Sequence, residues 1–111
     1  MTTLITRDEL KTAIDDGTAT VLDALAGGYW EQQHLPGAIP LHADHVEQVY
    51  RDLLPDRDAL IVTYCSNAAC PNSGQVAAKL ERLGYTNVRK YREGIEDWAG
   101  AGLPLESGSL V

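Results

Sequence analysis

The stretch Ala59-Leu-Ile-Val-Thr-Tyr64, followed by Cys65-Ser-Asn-Ala-Ala-Cys-Pro-Asn-Ser-Gly74, decides how the rest of the chain is read. Its first six residues are apolar or β-branched without strict alternation, the pattern of a central parallel strand covered on both faces. The sequence then turns small and polar before a helical period begins, with Val76, Ala77, Leu80 and Leu83 on one side and Gly84 as the stop. Ser73 is placed to cap that helix. A thiol, Cys65, therefore stands at the end of a buried strand, just ahead of a loop and a helix.

Outward from this unit, strands and helices alternate. Leu4 and Ile5 read as a short first strand, and Thr6 with Glu9 forms a capping box for a helix from Arg7 to Asp15 that Asp16 and Gly17 end. Thr20 to Ala24 reads as a second strand. Gly27 and Gly28 break the chain, Tyr29 to Gln33 is spaced for one or two helical turns, and Leu35-Pro-Gly-Ala-Ile-Pro40 forms a tight turn into a third short strand. His42 to Leu54 has helical spacing at Val46, Val49, Tyr50 and Leu53 and is closed by Pro55. After Gly84, Asn87 to Tyr91 reads as a fifth strand and Glu93 to Ala99 as a short helix, with Gly100 to Pro104 opening a loose tail. Such alternation predicts an open, mostly parallel five-stranded α/β sheet with helices on both faces and right-handed crossovers.

At 111 residues and 44% apolar content, residues 1–111 are expected to form one domain with one core. The opening MTTLITRDEL has neither the basic lead nor the apolar run of a secretory signal, and no stretch reaches the roughly 20 apolar residues that span a bilayer. A cytoplasmic setting is expected. Two cysteines are too few for a disulfide scaffold, and in a reducing compartment they point to a reactive thiol or a transient redox pair. A net charge of −7 argues against nucleic-acid and anionic-membrane partners, which need a basic face.

In open α/β sheets, ligands bind beyond the carboxyl ends of the strands, which is where Cys65 falls. Amides of the loop Ser66, Asn67, Ala68, Ala69, Cys70, Pro71, Asn72 and Ser73, together with the positive end of the next helix, would favour a thiolate over a thiol and hold an anion beside it. Read from these residues alone, Cys65 is either that reactive thiol or a buried core cysteine.

Four further stretches carry a resemblance: Leu22-Asp23 with Glu31 and His34-Leu-Pro-Gly-Ala-Ile-Pro40; Val62-Thr-Tyr-Cys65; Leu80-Glu-Arg-Leu-Gly-Tyr85; and Tyr91-Arg-Glu-Gly-Ile-Glu-Asp-Trp98. In this order and separation they resemble the single-domain rhodaneses, a family of α/β sulfurtransferases, over nearly the whole chain. The resemblance implies that Cys65 takes a sulfane sulfur from a donor such as thiosulfate as a persulfide, and that a thiophilic acceptor then removes it. Two easier steps replace one difficult transfer, and loop amides stabilise the charge on sulfur. The implied partners are small sulfur donors and thiophilic acceptors, with a sulfur-accepting protein as a further candidate. No metal or organic cofactor is implied.

The chain departs from the family pattern in three places. The loop is longer than the usual C-x-x-x-x-R-S and holds no Arg or Lys, the usual D-x-R is Asp23-Ala-Leu25, and the usual Gly-Gly is Glu93-Gly94. With Pro71 where related phosphatases place their loop arginine, the bidentate phosphoryl clamp is missing, and phosphatase chemistry is disfavoured. Arg89, Lys90 and Arg92 lie on or after the last strand and could supply the absent charge. Arg92 is the best placed of them as an anion contact, and its plain reading is a solvated partner of Glu93 or Glu96.

Cys70 is either a packing residue or a thiol that resolves an oxidised or persulfidated Cys65. The alternatives to a sulfurtransferase are thus a redox or sulfur-relay protein using Cys65 and Cys70, and a binding module that keeps the fold for recognition. His42 and His45 fit the polar start of a helix better than a zinc site with the two cysteines. His34, Asp23, Trp30 and Trp98 are read as structural: His34 as a hydrogen-bonding residue near the surface, Asp23 as a loop anchor, and the tryptophans as packing.

Overall fold

The computed structural model describes residues 2–25 and 29–107. Gly27 and Gly28 lie outside the described residues. Five strands, β1 (Thr3–Leu4), β2 (Ala19–Asp23), β3 (Ile39–Pro40), β4 (Leu60–Tyr64) and β5 (Val88–Tyr91), form one sheet in the order β1-β5-β4-β2-β3. Every pairing is parallel, and β4 is the central strand. Among the described residues five α-helices connect or follow them: α1 (Arg7–Asp16), α2 (Tyr29–Gln32), α3 (Val46–Leu53), preceded by a 3-10 turn at Ala43–His45, α4 (Asn72–Arg82) and α5 (Gly94–Gly100). The expected open parallel sheet is observed, with all five strands parallel.

Alternation along β4 divides the core in two. Ile61 and Cys65 face a cluster built with Val46 of α3 and with Val76, Ala77 and Leu80 of α4. Val62 and Tyr64 face the opposite cluster, made with Leu10 of α1 and with Ile95 and Trp98 of α5. Since both faces are covered, β4 needs no polar side, which is why its sequence lacks alternation. Helix α1 starts as its sequence requires: Thr6 Oγ1 accepts from the Glu9 N–H at 3.1 Å, and Glu9 Oε1 accepts from the Thr6 N–H at 3.0 Å. It ends at Gly17, whose φ of +69° is open to glycine. At the other end, Arg7 Nη1 reaches both carboxylate oxygens of Asp97, tying α1 to α5.

Three local expectations need correction. Ser73 does not cap α4; it lies within the helix, buried, and Pro71 occupies the capping position with helix-like dihedrals. A proline fixes φ near the helical value and has no N–H to satisfy, so it can open a helix without a side-chain cap. His34 is not near the surface but 5% exposed, stacked on Trp30 with ring centroids 4.2 Å apart. The segment after α5 is not loose up to residue 106: Trp98 Nε1 donates to the Pro104 carbonyl at 2.8 Å, and His34 and Glu106 exchange backbone hydrogen bonds of 2.9 and 2.8 Å. A pairing as distant in sequence as that of His34 with Glu106 leaves no trace in local composition.

Candidate active site

Cys65 is the first residue past β4, 1% exposed, on the α3–α4 side of the sheet. Its backbone is held from the opposite side. The N–H groups of Ile95 and Glu96, in the first turn of α5, donate to the carbonyls of Cys65 and Ser66 at 2.9 and 3.0 Å. That approach is close enough to require glycine at the start of α5. Gly94 has φ +74°, and a Cβ built on it would lie 2.5 Å from the Cys65 carbonyl oxygen and 2.6 Å from the Ser66 carbonyl carbon. Gly94 stands in the Tyr91-to-Trp98 stretch that carries the resemblance, but its contact with the base of the cysteine loop was not legible in the sequence.

Asn67 shapes the loop itself. Its side-chain oxygen accepts from the Ala69 N–H at 2.9 Å, its carbonyl accepts from the Cys70 N–H at 3.2 Å, and its Nδ2 donates to Glu96 at 3.0 Å. The resulting turn brings Cys70 back to Cys65, and the two sulfurs are joined in a disulfide with Cα atoms 6.4 Å apart. In this state the Cys65 sulfur carries no charge. Two of the amides expected to surround an anion, those of Ala69 and Cys70, are already engaged by Asn67. Among the described residues, the N–H groups of Ser66, Asn67, Ala68, Asn72, Ser73 and Gly74 have no protein acceptor. Asn72 and Ser73 belong to the first turn of α4 and not to the loop.

The strand ends beneath the loop are locked by buried polar groups. Asp23, fully buried, accepts from the Leu25 N–H at 2.8 Å and from the Tyr64 hydroxyl at 2.9 Å, and that hydroxyl accepts in turn from the Leu35 N–H at 3.1 Å. Asp23 thus anchors the loop after β2, as its sequence position suggests, and joins it to the end of β4 and to the Leu35 turn. On the other face, Thr63 Oγ1 donates to the Ser73 carbonyl at 3.1 Å, fastening α4 to the strand that carries Cys65.

Burial pushes the Asp23 carboxyl above its ordinary range, against the opposing pull of its bonds to Leu25 and Tyr64. A carboxyl raised in the folded state contributes stability when protonated, below the unfolded value, and loses it as pH rises through the folded value. Asp23→Asn removes that titration while keeping an acceptor for Leu25. The stability of the wild type relative to Asp23→Asn should therefore fall from acid toward neutral pH, as read by urea unfolding across that interval. A gap that stays constant with pH would show that Asp23 does not titrate differently in the folded state.

Strand β5 pairs with β4 so that Thr63 lies beside Lys90 and Tyr64 beside Tyr91. The Lys90 ammonium lies 3.5 Å from where a Cβ on Gly74 would stand, against the first turn of α4. Arg92 is half exposed, with Nη2 3.7 Å from Glu93 Oε1. Its plain reading as a partner of Glu93 is therefore met, and the structure brings Lys90, which the sequence ranked lower, to the helix start. Trp30 and Trp98 are buried in packing positions, as expected. His42 caps the turn that precedes α3, its Nδ1 3.3 Å from the Asp44 N–H. Among the described residues no three metal-ligating side chains gather, and no helix is long and apolar enough to cross a membrane.

A family model described as the rhodanese-like domain matches residues 6–101. The chain belongs to the rhodanese-like domain family. Three known proteins are similar to it. The HTH-type transcriptional regulator Rv0324 of Mycobacterium tuberculosis is 32% identical over 107 residues, which are 96% of this chain and 46% of that protein. This chain thus spans about half the length of the curated relative it matches. The solved BH2092 protein of Bacillus halodurans is similar at TM-score 0.86 and 26% identity, covering 96% of this chain and 77% of that one. A thiosulfate sulfurtransferase from Pseudomonas aeruginosa shares the fold at TM-score 0.79 and 21% identity, over 97% of this chain and 21% of its own.

Proposed function

We propose that this rhodanese-like domain is a sulfurtransferase in which reduced Cys65 takes a sulfane sulfur as a persulfide and passes it to a thiophilic acceptor. The observation that carries the reading is the position of Cys65, at the carboxyl end of the central strand and under a loop whose base is clamped by α5. With thiosulfate, the Cys65 thiolate attacks the outer sulfur, the S–S bond breaks, and sulfite leaves with the electron pair. An acceptor such as cyanide then attacks the terminal persulfide sulfur and frees the thiolate. Loop and α4 amides that lack protein acceptors are available to the negative charge on sulfur during both steps.

A dithiol reductant must come first, because the disulfide to Cys70 occupies the attacking sulfur. The test is intact mass of the reduced Cys70→Ser protein after thiosulfate, which has no second thiol to compete for the adduct: the expected product is one sulfur atom heavier, with the gain mapped to Cys65 and removed by cyanide. A reduced, folded Cys70→Ser protein that gains no sulfur would overturn the reading.

Arg92 is proposed as an outer anion contact. Arg92→Ala should lower kcat/KM for dianionic thiosulfate a few-fold more than for a less charged donor, with the difference shrinking as salt is added. The effect is small because the guanidinium is half exposed and shared with Glu93. Equal loss with both donors would assign Arg92 a structural part.

A second reading is favoured by the match to an HTH-type transcriptional regulator. The same thiol chemistry would then report sulfur or redox state to a partner, as a module for recognition. Turnover separates the two: a sensing module forms the Cys65 adduct once but does not cycle with excess donor and acceptor.

A further inference from the structure

We propose that Cys70 is a resolving thiol that ends the persulfide on Cys65 by expelling its outer sulfur as hydrosulfide, leaving the Cys65–Cys70 disulfide. The inference rests on the persulfide reading above and gives the site a second exit for its sulfur. Its structural basis is the Asn67–Cys70 turn. The bond from the Cys70 N–H to the Asn67 carbonyl reverses the chain within four residues, and the Asn67 side chain ties that turn to Ala69 and to Glu96 of α5. Cys70 is thereby held with its Cα 6.4 Å from that of Cys65, within the separation a disulfide spans, and the two sulfurs are joined. The partner it reaches is otherwise enclosed: Cys65 is 1% exposed and packed among Leu22, Ala24 and Val76, whereas Cys70 lies at the edge of the same cluster.

In the persulfide, the Cys65 Sγ becomes the inner sulfur of an S–S bond and keeps its place beside Cys70. The Cys70 thiolate attacks that inner sulfur, the bond between inner and outer sulfur breaks, and the outer sulfur leaves as hydrosulfide with the electron pair. Both cysteines are oxidised by one electron each and the sulfane sulfur is reduced to sulfide, so electrons balance without an outside oxidant. Exchange of this kind requires a thiolate in line with a disulfide-like bond and a good leaving thiolate. An external dithiol then reduces the Cys65–Cys70 bond and returns the protein to its starting state. A small acceptor and Cys70 compete for the same intermediate, the first at the outer sulfur and the second at the inner.

The experiment uses the whole chain, reduced, freed of reductant and given thiosulfate without acceptor, with hydrosulfide swept into a zinc acetate trap. The wild type should release close to one hydrosulfide per chain and end two hydrogens lighter than the reduced protein. Cys70→Ser should release none and hold a persulfide that cyanide still converts to thiocyanate. Asn67→Ala, which keeps both thiols but loses the side-chain ties of the turn, should lengthen persulfide lifetime at least several-fold. A wild-type persulfide as long-lived as that of Cys70→Ser, or hydrosulfide released equally by both, would overturn the resolving role and leave sulfur transfer standing. No sulfur adduct on either protein and no hydrosulfide would overturn both.

Discussion

Cys65→Ser should abolish sulfur transfer to the uncatalysed background, a loss on the order of a thousand-fold or more, as expected when an enzyme loses its covalent nucleophile. A serine hydroxyl stays protonated at neutral pH and is a far poorer nucleophile toward sulfur than a cysteine thiolate. The loss must be separated from damage to the fold, because Cys65 is packed in the core and a hydroxyl there needs a hydrogen-bond partner. Cys65→Ala serves as the apolar control, and both variants are compared with the reduced wild type, since each also removes the disulfide to Cys70. Absence of the thiosulfate adduct in folded Cys65→Ser and Cys65→Ala is the expected result. An adduct that persists in either variant, mapped to Cys70, would move the nucleophile to the second cysteine.

Gly94→Ala should have the second large effect, on stability and transfer together. A methyl group at this position meets the Cys65 oxygen at 2.5 Å and the Ser66 carbonyl carbon and oxygen at 2.6 Å, all of them backbone atoms with no rotamer to yield. The left-handed φ of +74° adds about 1–2 kcal/mol for any residue with a Cβ. Relief of the clash requires α5 and the loop to separate, which weakens the bonds from Ile95 and Glu96, each contributing about 1 kcal/mol. A total loss of about 3 kcal/mol or more is expected, together with slower formation of the adduct because Cys65 shifts.

Gly37→Ala is the matched control. Gly37 has nearly the same φ, +73°, but nothing lies within 4 Å of its would-be Cβ, so it isolates the conformational part. Urea unfolding and single-turnover adduct formation measure both variants. A Gly94→Ala protein no worse than Gly37→Ala would show that the close approach to the cysteine loop has no consequence.

How much of this was legible before folding depends on how local each cause is. The capping box at Thr6 and Glu9, the stop at Gly17 and the period of α4 are set by neighbours a few residues apart, and they appear as read. Lys90 shows the opposite case. Its place beside the first turn of α4 follows from the register of β5 against β4, which no local pattern states. Ser73 misled because Ser is a common cap, while Pro71 could open the helix two residues earlier.

The sequence by itself determined the alternation of strands and helices, the centrality of β4 and the position of Cys65 at its end. These follow from hydrophobic period and from the glycines and prolines that interrupt it. Only the tertiary structure decided that Gly94 abuts the cysteine loop, that Asp23, Tyr64 and Leu35 form one buried set of bonds, and that Glu106 pairs with His34. It also decided that Cys70 turns back onto Cys65. The physical reason is the same in each: the partners belong to segments brought together by the sheet or by a turn's geometry, and spacing along a chain constrains which groups can meet without fixing which ones do.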